Sequence, residues 1–279
     1  MNLGFTRDPI NVVWFKRDLR TSDHKPLSGA ASSGRVIPLY IIEPSFWSLP
    51  DMSARHWSFI YDSLIELQQD LESLGAPLIV RIGETLQGLQ DIQKQAGQFS
   101  LWSHEETGNA WTYQRDLQIQ DWCRTQRITW NESATNGVFR RLKSRDQWAA
   151  QRDSFMRDKA IQRPTCLSPV LEIKSHSLPS KDDPIFGAKD FLNTQLGGRS
   201  QALKVLDTFL TQRGKNYFKS ISKPGPAEND CSRLSPHLSF GTLSMREVEH
   251  ATQKRIAFLE QSGTRDDFFF SKNLKAFFS

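Results

Sequence analysis

With 279 residues, 38% of them hydrophobic and 24% charged, the chain has the make-up of a water-soluble globular protein of one large or two ordinary domains. Its longest apolar runs, such as Val36 to Ile42, are far too short to span a bilayer, and Met1 to Pro9 has no secretory core, so a cytoplasmic protein without membrane contact is expected. A net charge of +5 permits a polyanionic partner without requiring one, while Cys123, Cys166 and Cys231, widely spaced and with no C-x-x-C pair, indicate neither a disulfide framework nor a metal site.

Ile10 to Phe15, "INVVWF", is a β-branched apolar run that reads as a buried strand, and Arg35 to Ile42 reads as a second. Between them, "KRDLRTSD" gathers Lys16, Arg17, Asp18, Arg20 and Asp23 directly after a buried strand, where charges must be solvated, paired or bound to a ligand. Pairing among themselves is the simplest expectation. From Ser53 the period changes: Trp57, Ile60, Tyr61, Leu64, Leu67, Leu71 and Leu74 mark one face of a helix, with Ser53 as cap and Gly75 as stop. Leu78 to Ile82 is a strand, Leu86 to Ala96 a helix ending at Gly97, and Phe99 to Trp102 a strand. A helix containing "TYQRDLQIQDWC" then leads to the strand Ile128 to Glu132.

Strands alternating with helices imply right-handed crossovers and a parallel sheet covered on both faces, so residues 1–160 are expected to form a doubly wound α/β domain. Ligands on such sheets sit at the carboxyl ends of the strands, which directs attention to the loops beginning at Lys16, Glu43, Gly83 and Ser103. Neither G-x-G-x-x-G nor a P-loop occurs there, which argues against an ordinary dinucleotide or triphosphate site. Phe139 to Lys159 concentrates Arg140, Arg141, Lys143, Arg145, Arg152, Arg157 and Lys159, offset in part by Asp146, Asp153 and Asp158; a solvated helix laced with ion pairs is the plain reading.

Residues 161–198, with Pro164, Pro169, Pro179 and Pro184 and no hydrophobic period, read as a linker, and residues 199–279 as a helical region. Ala202, Leu203, Leu206, Phe209 and Leu210 form a helical stripe. In Ser232-Arg233-Leu234-Ser235-Pro236, Ser235 reads as an N-cap and Pro236 as the first helical residue, either an ordinary capped helix or a phosphate cradle to which Arg233 adds charge. Gly241 closes that helix, Ser244 with Glu247 makes a capping box, and Val248, Thr252, Ile256 and Leu259 line the next helix. Thr264 with Asp267 opens a last one, rich in phenylalanine at 268, 269, 270, 277 and 278, whose apolar surface should pack against something.

Two stretches carry a resemblance. "VVWFKRDLRTSDHKPL", Val12 to Leu27, and the order Gly-Gly, amphipathic helix, Tyr217, S-R-L-S-P and "FGTLSMREV" resemble the DNA photolyase/cryptochrome family, and with the α/β pattern between them the likeness covers nearly all 279 residues. It implies a photolyase-type α/β domain holding an antenna chromophore, a folate, deazaflavin or flavin, followed by the start of an all-α FAD-binding domain. It further implies FAD contacts at Tyr217, Cys231, Ser232, Arg233, Leu234 and Ser235. Cys231 stands where many relatives have Thr and is a weaker donor. His24 stands where many have Asn, and the loop from His104 to Asp116 is longer than in the best-known bacterial repair enzymes. There, Glu105, Glu106 and Asn109 are either antenna ligands or loop polar groups.

The activity implied is light-driven repair of pyrimidine dimers in damaged DNA by electron transfer from reduced FAD, a carbon–carbon lyase reaction. The alternative is a cryptochrome-like blue-light sensor or antenna-binding module without repair. None of the eight tryptophans follows residue 148, so the family's redox tryptophans are not in this sequence. The chain is therefore expected to be an N-terminal, truncated portion with impaired activity, unless a partner supplies further helices.

Overall fold

The computed structural model describes residues 8–140, 142, 144, 146–188 and 194–278. Five parallel strands, β1 (Ile10–Phe15), β2 (Arg35–Ile42), β3 (Ile79–Ile82), β4 (Ser100–His104) and β5 (Trp130–Ser133), lie in the order β3-β2-β1-β4-β5. They alternate with α1 (Lys25–Ser33), α2 (Pro44–Trp47), α3 (Ala54–Ser73), α4 (Thr85–Ala96) and α5 (Ala110–Gln126). Side chains alternate across β1: Val13 and Phe15 pack with Leu27 of α1 and Trp57 and Leu64 of α3, whereas Val12 and Trp14 pack with Leu89 and Ile92 of α4 and Ile119 of α5. Burial on both faces is why these strands are unbroken apolar runs. The order reverses between β1 and β4, so the topological switch point lies there, beside the loops after Phe15 and His104.

After α6 (Trp148–Arg157) the linker is strapped to the α/β layer rather than free. Leu167 N–H donates to Leu74 O (2.7 Å), Val36 N–H to Ser168 O (2.7 Å) and His176 N–H to Val80 O (3.0 Å), while Phe186 stacks on Trp57 with ring centroids 3.9 Å apart. The helical region follows as α7 (Arg199–Thr211), α8 (Tyr217–Ser220), α9 (Pro224–Asp230), α10 (Ser235–Ser239), α11 (Met245–Ser262) and α12 (Arg265–Phe278). Ser244 and Glu247 form the expected capping box on α11, and Thr264 Oγ1 accepts from Asp267 N–H at the start of α12.

One expectation is met in part and one needs correction. The phenylalanine-rich helix does pack against something, the helical region of this chain: Phe270 and Leu274 are buried with Phe209, Leu210 and Leu259, and Phe277 packs edge-on to Phe209 and Tyr217. Phe268 and Phe269 do face outward, with Lys272 and Lys219 over their rings, and the Phe278 side chain and Ser279 lie outside the described residues. The charges of residues 16–23, expected to pair among themselves, do not chiefly do so. Arg17 donates to Ser239, Arg20 to Gly241 O, and Asp23 accepts from Ser244 Oγ, so the loop is latched to the helical region.

Gly241 makes this latch close. Its φ is +66°, and a Cβ there would fall 2.3 Å from Arg17 O and 2.5 Å from Asp18 Cα. Gly241→Ala is expected to lower stability by more than about 1 kcal/mol, through both the strained backbone and the lost approach, seen as a reduced urea midpoint with unchanged slope. An unchanged midpoint would mean that the two backbones separate without cost.

Candidate functional site

A crevice of about 560 Å³ opens at the carboxyl edge of β1 and β2, floored by Trp14, Phe15 and Tyr40 and walled by Phe46, Trp47, Met52 and Ile60. Ser235, Pro236, Ser239 and Phe240 of the helical region close one side, and Glu106, Asn109, Thr112 and Arg115 the other. Of the four loops singled out from the sequence, those after Lys16, Glu43 and Ser103 reach it. The loop at Gly83 does not, and its Glu84 instead accepts from Ser45. Of the three polar candidates, Glu106 and Asn109 face this crevice, while Glu105 faces a smaller neighbouring cavity and accepts from Arg140 N–H.

Beneath the aromatic floor lies a buried charge network that the sequence pattern did not reveal. Arg115 of α5 binds Glu43 (2.8 Å), Glu106 (2.5 Å) and Asp116 (3.0 Å), with its guanidinium 4.7 Å from the Trp14 ring centroid. Lys16 lies 4.6 Å over the same ring and 3.4 Å from Asp116, which also accepts from Arg140 (2.6 Å). Burial alone would raise the Asp116 pKa, but Lys16 and Arg115 hold it below its ordinary value. Burial raises the Glu43 pKa despite Arg115 and Thr85. Three carboxylates and three cations therefore balance in a dry setting, and the side chains at the crevice wall are fixed before any ligand arrives. Arg140 is the member of the basic cluster used here; Arg152 meets Glu249 and Asp153, and Arg141, Lys143 and Arg145 lie outside the described residues.

At the switch point, three groups converge on Asp18. Lys16 N–H donates to Oδ1 (2.7 Å), His104 Nδ1 to Oδ2 (2.7 Å), and His24 Nε2 lies 2.9 Å from Oδ2, at an angle poor for a hydrogen bond. These two histidines and one carboxylate have the composition of a metal site. The tautomer argues against one: Leu27 N–H donates to His24 Nδ1 (3.0 Å), so the neutral ring carries its proton on Nε2, the atom a metal would need. The same bond caps α1, the role an asparagine would fill at this position. Burial, then the neighbouring His24, lowers the His104 pKa to about 4, and burial also lowers that of His24. Asp18 is held well below the usual carboxylate range, the two histidines outweighing its burial.

Five of the six residues singled out near the end of the chain meet at a second, open cavity of about 690 Å³. Tyr217, Cys231, Ser232, Arg233 and Ser235 line it with Gln195, Pro224, Glu228 and Pro236, whereas the Leu234 side chain turns into the helical core, 1% exposed. The expected cap is displaced by one residue. Leu234 stands at the N-cap, Ser235 and Pro236 begin the helix, no side-chain cap bond forms, and α10 is only five residues long, so its dipole is that of little more than one turn. The reason is Arg233, whose φ of +61° bends the chain just before the turn. Arg213, missed in the sequence, holds the segment by donating to the carbonyls of Val205, Cys231 and Ser232. Burial, then nearby Asp230, raises the Cys231 pKa, which leaves it a neutral and weak donor.

Among the described residues no helix is long and apolar enough to cross a membrane. The family model for DNA photolyase matches residues 11–149. A deoxyribodipyrimidine photo-lyase of Agrobacterium fabrum is 30% identical over 260 residues, 87% of this chain and 53% of the relative. Cryptochrome-1 of Arabidopsis thaliana is 27% identical over 274 residues, 90% of this chain and 39% of the relative. The crystal structure of a class III photolyase from Agrobacterium tumefaciens superposes with a TM-score of 0.76 at 25% identity, covering 100% of this chain and 59% of that one. The chain thus spans about half the length of the curated relatives it matches.

Proposed function

This chain belongs to the photolyase/cryptochrome family, and from that premise we propose that it is the α/β and first helical portion of a blue-light flavoprotein that repairs pyrimidine dimers in damaged DNA. The observation that carries the flavin reading is that Tyr217 and the run Cys231, Ser232, Arg233 and Ser235 face one cavity. They suit the phosphate-bearing part of FAD. Arg233 is exposed to the cavity with no ion pair among the described residues, and two hydroxyls stand beside it; Glu228 is the one wall residue that opposes an anion. When bound, the reduced flavin supplies the light-driven electron for opening the dimer. The protein's part is to grip the diphosphate through Arg233, Ser232 and Ser235 and to steady it with Tyr217.

The sheet-edge crevice suits a second, planar chromophore: apolar aromatic walls accept its faces, and Glu106, Asn109 and Thr112 are available to its polar rim. Whether that chromophore is a folate, a deazaflavin or a flavin, the fixed charges below it keep the wall rigid. The likeness to cryptochrome-1 supports a second reading, a light sensor without repair. One experiment separates the two. Purified protein reconstituted with FAD, reduced and illuminated with blue light, is assayed for loss of dimers from an irradiated oligonucleotide. Repair supports the first reading; a flavin that changes redox state in light while dimers persist supports the second, and failure to retain flavin removes both for this chain. Arg233→Glu is expected to weaken FAD binding about tenfold or more, measured by fluorescence titration.

A further inference from the structure

Ser235 and Pro236 line both cavities. On one side they face the sheet-edge crevice beside Phe240, and on the other they close the cavity of Tyr217, Ser232 and Arg233. The partition is therefore a single turn, α10. Its far end is pinned to the crevice loop: Arg17 Nε donates to Ser239 O (2.9 Å), the same guanidinium reaches Ser239 Oγ and lies 5.5 Å over the Phe240 ring, and Leu19 N–H donates to Phe240 O (3.1 Å). Its near end carries the hydroxyls of the second cavity: no side chain caps the helix itself, but Leu234 N–H donates to Ser232 Oγ (3.5 Å), and the carbonyls just before it are held by Arg213 and by Gln195 Nε2 (2.8 Å to Arg233 O). A single turn held at both ends and shared as a wall by two cavities carries a restraint applied on one face to the other.

We propose that the Ser235–Pro236 turn couples the two cavities, so that a planar aromatic ligand seated against Pro236 and Phe240 tightens the binding of a nucleoside diphosphate at Ser232 and Arg233, and the reverse. The coupling rests on the reading that both cavities bind ligands. A ligand filling the crevice bears on Ser235 and Pro236, the wall common to both cavities, and fixes the position in which the second ligand meets them, so less ordering is left for the second ligand. Reciprocity requires the same factor in both directions. Arg17 is the positioning residue for the second cavity: it lines the crevice but not that cavity, and it fixes the end of the turn from which the restraint acts, so its effect on ADP binding in the presence of lumiflavin is read against its own lumiflavin constant.

The test uses lumiflavin, a planar ring without phosphate, and ADP, a diphosphate without that ring. The ADP dissociation constant is measured by calorimetry with and without saturating lumiflavin, and the lumiflavin constant with and without ADP. A tightening of about fivefold or more, equal in both directions, is expected. Arg17→Ala should abolish the factor, and Arg17→Lys, which keeps one donor for Ser239 O, should restore part of it. Equal affinities with and without the other ligand would overturn the proposal. Absence of binding by either probe would instead remove the ligand reading of that cavity, and amide exchange then decides the coupling. Faster exchange at 234–238 in ligand-free Arg17→Ala than in the parent supports the restraint through Arg17, and unchanged exchange overturns it.

Discussion

Replacing Arg115 by alanine is expected to destabilise the fold by about 3–5 kcal/mol, the cost of leaving buried charge without its partner. The guanidinium is 10% exposed and the carboxylates it serves, on Glu43, Glu106 and Asp116, about half that, so no solvent stands ready to replace it. Asp116 keeps Lys16 and Arg140, but Glu43 is left with only the Thr85 hydroxyl and amide at its other oxygen. Because burial already raises the Glu43 pKa, losing Arg115 should raise it further, so the variant takes up a proton there more readily and its deficit relative to the parent narrows in mild acid. Urea unfolding at neutral and mildly acid pH reads both effects. Adding Glu43→Gln should recover part of the loss at neutral pH even where the single variant is too weak to measure. A loss under 1 kcal/mol, with no dependence on pH, would show that water reaches these groups.

The second large effect is loss of stability in acid. His104 and His237 both have pKa values lowered to about 4, in each case first by burial, and His24 is shifted the same way. A base whose folded pKa lies below its unfolded value binds fewer protons in the folded state between the two. Stability is therefore level above about pH 6.5, and falls as the pH drops from 6.5 towards 4, by roughly 3 kcal/mol for His104 alone. Asp18 works in the same direction lower down: its depressed pKa adds stability above the ordinary carboxylate value that is lost below it. His104→Asn keeps a side-chain N–H for Asp18 and removes the titrating ring. It is expected to cost stability at pH 7 and to flatten the decline towards pH 4, so the two curves of unfolding free energy against pH converge. Curves that run parallel would show that His104 is not the group responsible.

The strands were legible because buried parallel strands write themselves as apolar runs: Ile10–Phe15 and Arg35–Ile42 agree at both ends, and the shorter β3, β4 and β5 are displaced by one or two residues where strand and turn share residue types. The helix Lys25–Ser33 was passed over, since Ser, Gly and Ala give it little apolar stripe and its cap is a histidine. The charge network was illegible for a different reason. Arg115 and Asp116 sit in a polar helix that looks solvated, and only folding brings Glu43 from 72 positions away; likewise Asp18 and His104 stand 86 apart. The six residues near the second cavity were found through family likeness, and their local geometry was misjudged because a left-handed arginine at 233 is not written in the residue types around it.

The central position of β1 has a consequence for the order in which the molecule is made. β1 must wait for β4, about ninety residues later, before its second edge is closed, and the loop that follows it must wait for Ser239, 222 residues away. Synthesis therefore passes through a stage with the sheet assembled and residues 16–23 still unfastened, in which buried charges such as Arg20 lie open to water. Contacts between such distant positions are slow to form, so the fastening at Gly241 should come after the sheet is assembled and come undone before it on heating.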